Sequence, residues 1–134
     1  MVIYTSYFAK VKALNKKGIE TIGIAVSPPQ FYYGQHFKDL APRFNMLRMS
    51  NERYDVEFKK MLSRLDPKIV VEELKKLSKG KDIALLCFEK DPLECHRSMV
   101  ATWLERNLGI EVKEFEFDSD QKPKKPTITQ FSLF

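Results

Sequence analysis

Cysteine is scarce here: the 134-residue chain has two, Cys87 and Cys95, and they form no C-x-x-C pair. A structural zinc site wants four ligands, commonly as two close pairs. Cys87, Cys95 and His96, with His36 as a conceivable fourth, do not have that spacing. No apolar run approaches the ~20 residues of a membrane helix. The N-terminus lacks the basic start, apolar middle and cleavage site of a signal peptide. There is no internal repeat, no Walker loop and no G-x-G-x-x-G turn. These absences leave no metal, no cofactor and no membrane partner to expect, and they make the cytoplasm the expected compartment. Thiols stay reduced there, so a disulfide between Cys87 and Cys95 is not expected.

What is present suits a packed globule. Hydrophobic residues make up 43% of the chain, with ten Phe, five Tyr and one Trp. That is enough for the core of one domain. The net charge is +5, from 23 basic and 18 acidic residues. It permits an anionic partner such as a nucleotide or nucleic acid, and it equally fits a lysine-rich solvated face. Nothing in the sequence signals an oligomeric state.

Hydrophobic periodicity divides the chain into alternating strands and helices. Val2–Phe8 reads as a strand, and a short helix follows, closed by Gly18. Thr21–Ser27 is apolar at nearly every position, as a strand buried on both faces should be. "PPQFYYGQHF" is a loop, and "KDLAPRFNMLRM" is ambiguous because Pro42 interrupts any long helix. From Asn51 the helix signal is clear, with Tyr54, Phe58, Met61, Leu62 and Leu65 on one face. Asp66-Pro67 caps a second helix, whose apolar face is read as Ile69, Val70, Leu74 and Leu77. Asp82–Glu89 is a third buried strand. The next helix runs to Gly109, with Asp91 as its cap and Glu94 completing a capping box. Ile110–Phe117 alternates and reads as an edge strand.

This order predicts a single compact α/β domain over residues 1–118. Its mostly parallel sheet has about four strands, with helices on both faces. Residues 119–134 form a Lys/Pro-rich linker and an apolar C-terminal peptide. In such sheets ligands bind at the carboxyl ends of the strands. Three loops should meet on that rim, bringing together Thr5, Ser6, Tyr7, Tyr32, Tyr33, Gly34, His36, Glu89, Cys95, His96 and Arg97.

"LLCFEKDPLECHR" carries the sharpest candidates. His96, Val100, Trp103, Leu104 and Asn107 form one stripe, which places His96 on the sheet-facing side of its helix. A helix start favours anions, and an arginine there can grip a carboxylate or phosphate with two prongs. Each residue also has a plainer reading. Cys87 reads as a small buried residue. Cys95 is either an inert packed thiol or a reactive one, activated by the helix start and its cationic neighbours. His96 is either a proton-transfer group or a buried histidine satisfied by a backbone carbonyl. Arg97 either clamps an anion or pairs with Glu94 or Glu89. A cysteine phosphatase is excluded, because Arg97 lies two residues beyond Cys95 with no glycine between. Acyl transfer from Cys95 with His96 as base is disfavoured, since adjacent helical side chains diverge by about 100°.

Leu85-Leu86-Cys87-Phe88-Glu89, Pro92 and Cys95-His96-Arg97 resemble the hallmark of the family called domain of unknown function 488. "TSYFA" at Thr5–Ala9 and "PPQFYYGQHFKDLAP" at Pro28–Pro42 match it as well, and the resemblance spans about Ile3 to Leu108. It implies a compact α/β fold with a shared polar pocket, and no particular reaction.

The chain closes on Gln130-Phe131-Ser132-Leu133-Phe134. Gln130, Leu133 and Phe134 resemble the short peptide by which DNA polymerases and repair proteins hold sliding clamps; the segment also reads as a last strand packed on its own domain. Two functions are therefore weighed. One is a domain that binds or processes a phosphate-bearing nucleotide or nucleic-acid end. There Cys95 would be nucleophile or anion contact, His96 proton carrier, Arg97 anion clamp and Glu89 orienting carboxylate, and Tyr7, Tyr32 and Tyr33 would stack on a base. The other is a non-catalytic DNA-maintenance adaptor, recruited to a sliding clamp through its tail.

Overall fold

The computed structural model describes residues 1–89 and 96–117. Five parallel strands form one sheet: β1 (Ile3–Tyr7), β2 (Glu20–Gly23), β3 (Gln35–His36), β4 (Ile83–Cys87) and β5 (Val112–Glu114). Their spatial order is β3-β2-β4-β1-β5. The helices are α1 (Val11–Lys16), α2 (Asn51–Ser63), α3 (Pro67–Ser78) and α4 (Arg97–Leu108), with short 3₁₀ turns at Phe8–Lys10, Lys38–Leu40 and Phe44–Arg48. No helix among the described residues is long and apolar enough to cross a membrane.

The α/β class holds, with five strands rather than four. The extra one is β3, whose two residues pair with Ile22 and Gly23 of β2. Two residues carry no readable periodicity. β2 is shorter than its apolar run. Ile24 N still donates to Leu86 O at 2.9 Å, but β4 ends at Cys87, and among the described residues the ladder between β2 and β4 goes no further. Ile69 is 57% exposed while Val70 is buried, because consecutive helical positions cannot both face the sheet. The caps behave as read. The Asp66 side chain accepts from Lys68 N, and Pro67 opens α3. Gly18, Gly80 and Gly109 take the positive φ that follows each of three helices. Asp91 and Glu94 lie outside the described residues.

Strand side chains alternate between faces, and the two faces bury different cores. One carries Ile3, Ile22, Ile83, Leu85 and Val112 against α2, α3 and α4. The other carries Ala84 and Leu86 beneath Phe8, Leu14, Tyr32 and Phe117. Register then decides which residues can meet. Tyr7 pairs with Cys87 and Thr5 with both Leu85 and Glu114, so Thr5, Tyr7, Cys87 and Glu114 share the face that α4 covers.

Candidate functional site

Arg97 opens α4 directly over that face and is fully buried. Its guanidinium is held from several sides. Nε donates to Glu114 Oε1 at 2.9 Å and Nη2 to Glu114 Oε2 at 2.8 Å, a two-pronged ion pair. Nη1 reaches Cys87 Sγ at 3.0 Å and donates to the backbone carbonyl of Glu89. Thr5 Oγ1 donates to the same Glu114 carboxylate at 2.7 Å. The Tyr7 ring lies 5.8 Å from the guanidinium carbon. An isolated charge so deep would be prohibitively costly, and this set of partners is what makes its burial tolerable.

Among the described residues the ion-pair partner is Glu114, not the Glu89 carboxylate; Glu89 contributes its carbonyl to Arg97. Glu94 lies outside the described residues. The signal for Glu114 was in the alternation of the last strand. Val112 faces inward and so does Glu114, two positions on, while Phe115 and Phe117 pack on the opposite core. A carboxylate in the inward phase of a strand needs a buried cation.

His96, the residue before α4, is also buried, 7% exposed. Its Nε2 lies 2.6 Å from Ile24 O. A carbonyl can only accept, so Nε2 carries the hydrogen. The ring also meets Phe58 edge-on, with centroids 5.2 Å apart. Burial pushes the His96 pKa down to about 4, and Arg97 beside it adds to the depression, against the opposing effect of the Ile24 bond. The ring is therefore neutral at physiological pH. It ties the start of α4 to the end of β2.

Beside His96 a cavity of about 830 Å³ opens on the same face. Phe44, Met46, Leu47, Met49 and Met99 give it apolar walls, and Ser27, Asn51, Asp55 and Ser98 supply polar groups. Tyr54, Cys87, Phe88, Glu89 and His96 also line it. Asn51, Tyr54 and Asp55 stand at i, i+3 and i+4 on the first turns of α2, so they face one way. Burial and the neighbouring Asp55 push the Tyr54 phenol up to about 12, so it stays protonated. The sequence reading missed most of this lining. Its readable trace was that the apolar stripe of α2 turns polar toward the helix start.

A family comparison spans most of these elements. Residues 11–108 match a family described as "Active DUF488-N3 subclade". The chain belongs to that family. No curated protein and no solved structure matches the chain. The DUF488 match covers β2, β3, β4 and α1 to α4; Thr5, Tyr7 and Glu114, which surround Arg97, fall outside it.

The predicted rim is only partly assembled within this DUF488 chain. Thr5, Tyr7, the Glu89 backbone, His96 and Arg97 do come together. Tyr32 does not join them, because it is buried in the opposite core. Its hydroxyl donates to Gln35 O at 2.7 Å, and its ring meets Phe8 and His36 edge-on. Ser6 faces the same side by alternation, and its buried Oγ has no hydrogen-bond partner among the described residues. Tyr33 is 93% exposed, and His36 is exposed on β3. Gly34 is required by packing: a Cβ there would sit 2.4 Å from the Tyr32 hydroxyl. None of Tyr32, Tyr33, Gly34 and His36 lines the cavity. Cys95 and the tail residues Gln130, Leu133 and Phe134 lie outside the described residues. Cys87 is disulfide-bonded, against the expectation of a reduced thiol; the compartment rule carries no information about local geometry. Among the described residues, no cluster of His, Cys, Asp and Glu could hold a metal.

Proposed function

We propose that the protein binds a nucleotide or the end of a nucleic-acid strand in the cavity beside His96. The observation that carries this reading is the composition of the lining. Small-molecule sites span roughly 300–1,000 Å³ and combine apolar walls with a few placed polar groups. This one is about 830 Å³, with rings at Phe44, Tyr54 and Phe88 and thioethers at Met46, Met49 and Met99. Base–aromatic stacking is worth about 1–3 kcal/mol per base. The carboxylates of Asp55 and Glu89 are suited to accept from the exocyclic amines of a base.

In this reading Arg97 is a positioning residue: its guanidinium is engaged by protein groups, and it fixes β5 and the end of β4. His96 likewise anchors the cavity wall. The extension from binding to chemistry would first require a thiol reductant to open the disulfide at Cys87, since the chain's one other cysteine is Cys95; Cys95 would then serve as nucleophile or anion contact, the Glu89 carboxylate would orient and His96 would move a proton. The family description speaks of an active subclade and names no reaction.

Calorimetry on the full chain with ribonucleosides, their 5′-monophosphates and a short single-stranded DNA tests the proposal. Saturable binding that Ser27→Trp abolishes, without lowering the melting temperature, is the expected result. Ser27 is an exposed lining residue, so the indole would fill the entrance and leave the core untouched. Failure of all three ligand types to bind would sink the reading. A separate proposal starts from the tail: Gln130, Leu133 and Phe134 would dock on a sliding clamp. Deleting residues 130–134 should then abolish binding to a purified clamp, and undiminished binding would end that idea.

A further inference from the structure

Among the described residues the cavity lining holds two carboxylates, Asp55 and Glu89, and no lysine or arginine. Such a lining repels a phosphate. The outer lip has the opposite character. Phe44 and Leu47 line the cavity and are exposed, and Arg43 and Arg48, both exposed, sit next to them in the chain. Arg53 follows on the first turn of α2. Three of the six arginines in the chain thus fall between residues 43 and 53, against seventeen lysines spread elsewhere. Arg97 is already matched by Glu114, but Arg43 and Arg48 form no salt bridge among the described residues. Arginine presents a planar fork that matches phosphate oxygens, whereas lysine is a point charge.

We infer that the ligand enters base first, with its phosphate held outside the cavity by Arg43 and Arg48. This rests on the nucleotide reading and adds the orientation and the groups that grip the phosphate. Acidic groups in the lining and cations at the lip separate the two ends of the ligand by charge. The phosphate belongs either to a free 5′-mononucleotide or to the terminus of a strand, and the chemistry of the lip is the same for both.

The test compares a nucleoside, its 5′-monophosphate and a short single-stranded DNA on the wild type and on Arg43→Ala/Arg48→Ala. The wild type should bind the monophosphate more tightly than the nucleoside. The double substitution should weaken monophosphate binding about tenfold and leave nucleoside affinity unchanged. For the DNA it should also flatten the salt dependence by about 1.4, two contacts at ~0.7 each. Arg43→Lys/Arg48→Lys should keep the salt dependence and lose part of the affinity. Nucleoside binding with no effect of the double substitution on the monophosphate would overturn this inference alone. Equal losses for nucleoside and monophosphate would overturn it too. No nucleoside or monophosphate binding would overturn it together with the cavity reading. A steeper salt dependence for DNA than for the monophosphate would identify a strand terminus as the source of the phosphate; equal slopes would identify the free nucleotide.

Discussion

Two polar regions lie side by side at the carboxyl end of the sheet, and they treat their charges differently. Around Arg97 every strong donor has an internal partner: Glu114 through two prongs, the Glu89 carbonyl and Cys87. At the cavity, Asn51, Asp55 and Ser27 are exposed and face open volume. The first region is closed and its charges serve the fold. The second leaves polar groups available to something else. Residue types alone do not separate the two, since both hold acidic, hydroxyl and aromatic groups. What separates them is whether the sheet register supplies a matching partner.

The largest effect should come from the closed region. Arg97→Ala strands the partly buried Glu114 carboxylate, and breaking a buried pair costs about 3–5 kcal/mol. Urea unfolding should show that loss, and Arg97→Lys should recover only part of it, because an ammonium cannot reproduce the fork. A loss below about 1 kcal/mol would mean the region is not closed in the sense argued.

His96 gives the next effect, and it depends on pH. Its pKa is about 4 when folded and about 6.5 when unfolded. Above pH 6.5 neither state holds the proton; between 6.5 and 4 only the unfolded state does. Stability attributable to His96 is thus complete above pH 6.5 and falls as pH drops toward 4, by about 3 kcal/mol in all. His96→Gln keeps a donor toward Ile24 and should flatten this part of the stability profile, with nearby carboxylates providing a common background. Parallel profiles for wild type and variant would show that the ring is not buried neutral.

The smallest effect on stability belongs to the open region. Asn51→Ala at an exposed position should change the unfolding free energy by no more than about 0.5 kcal/mol. A larger drop would make that wall part of the scaffold and weaken the contrast between the regions.

Much of the scaffold could be read in the chain, and particular residues show why the remainder could not. Tyr54, Phe58 and Leu62 repeat at helical spacing, so α2 was plain. Asp66-Pro67 and Gly80 marked both ends of α3. Strand pairing is a long-range property, so the order β3-β2-β4-β1-β5 left no local trace. The same holds for the site. The inward turn of His96 followed from its stripe on α4. The separation of Tyr32 from Arg97 followed only from which face each strand position occupies. Thr5 and Ser6 are neighbours in sequence, yet alternation sends them to opposite cores.

The place of β1 has a consequence for biogenesis. It leads the described chain, yet its two neighbours are β4, residues 83–87, and β5, residues 112–114. During synthesis this ribbon must wait unzipped while its future flanks are still being made. Wide loops close slowly, and an unpaired strand invites illicit pairing with another nascent chain. Slow translation or crowding should therefore harm the yield of this protein at its leading segment first.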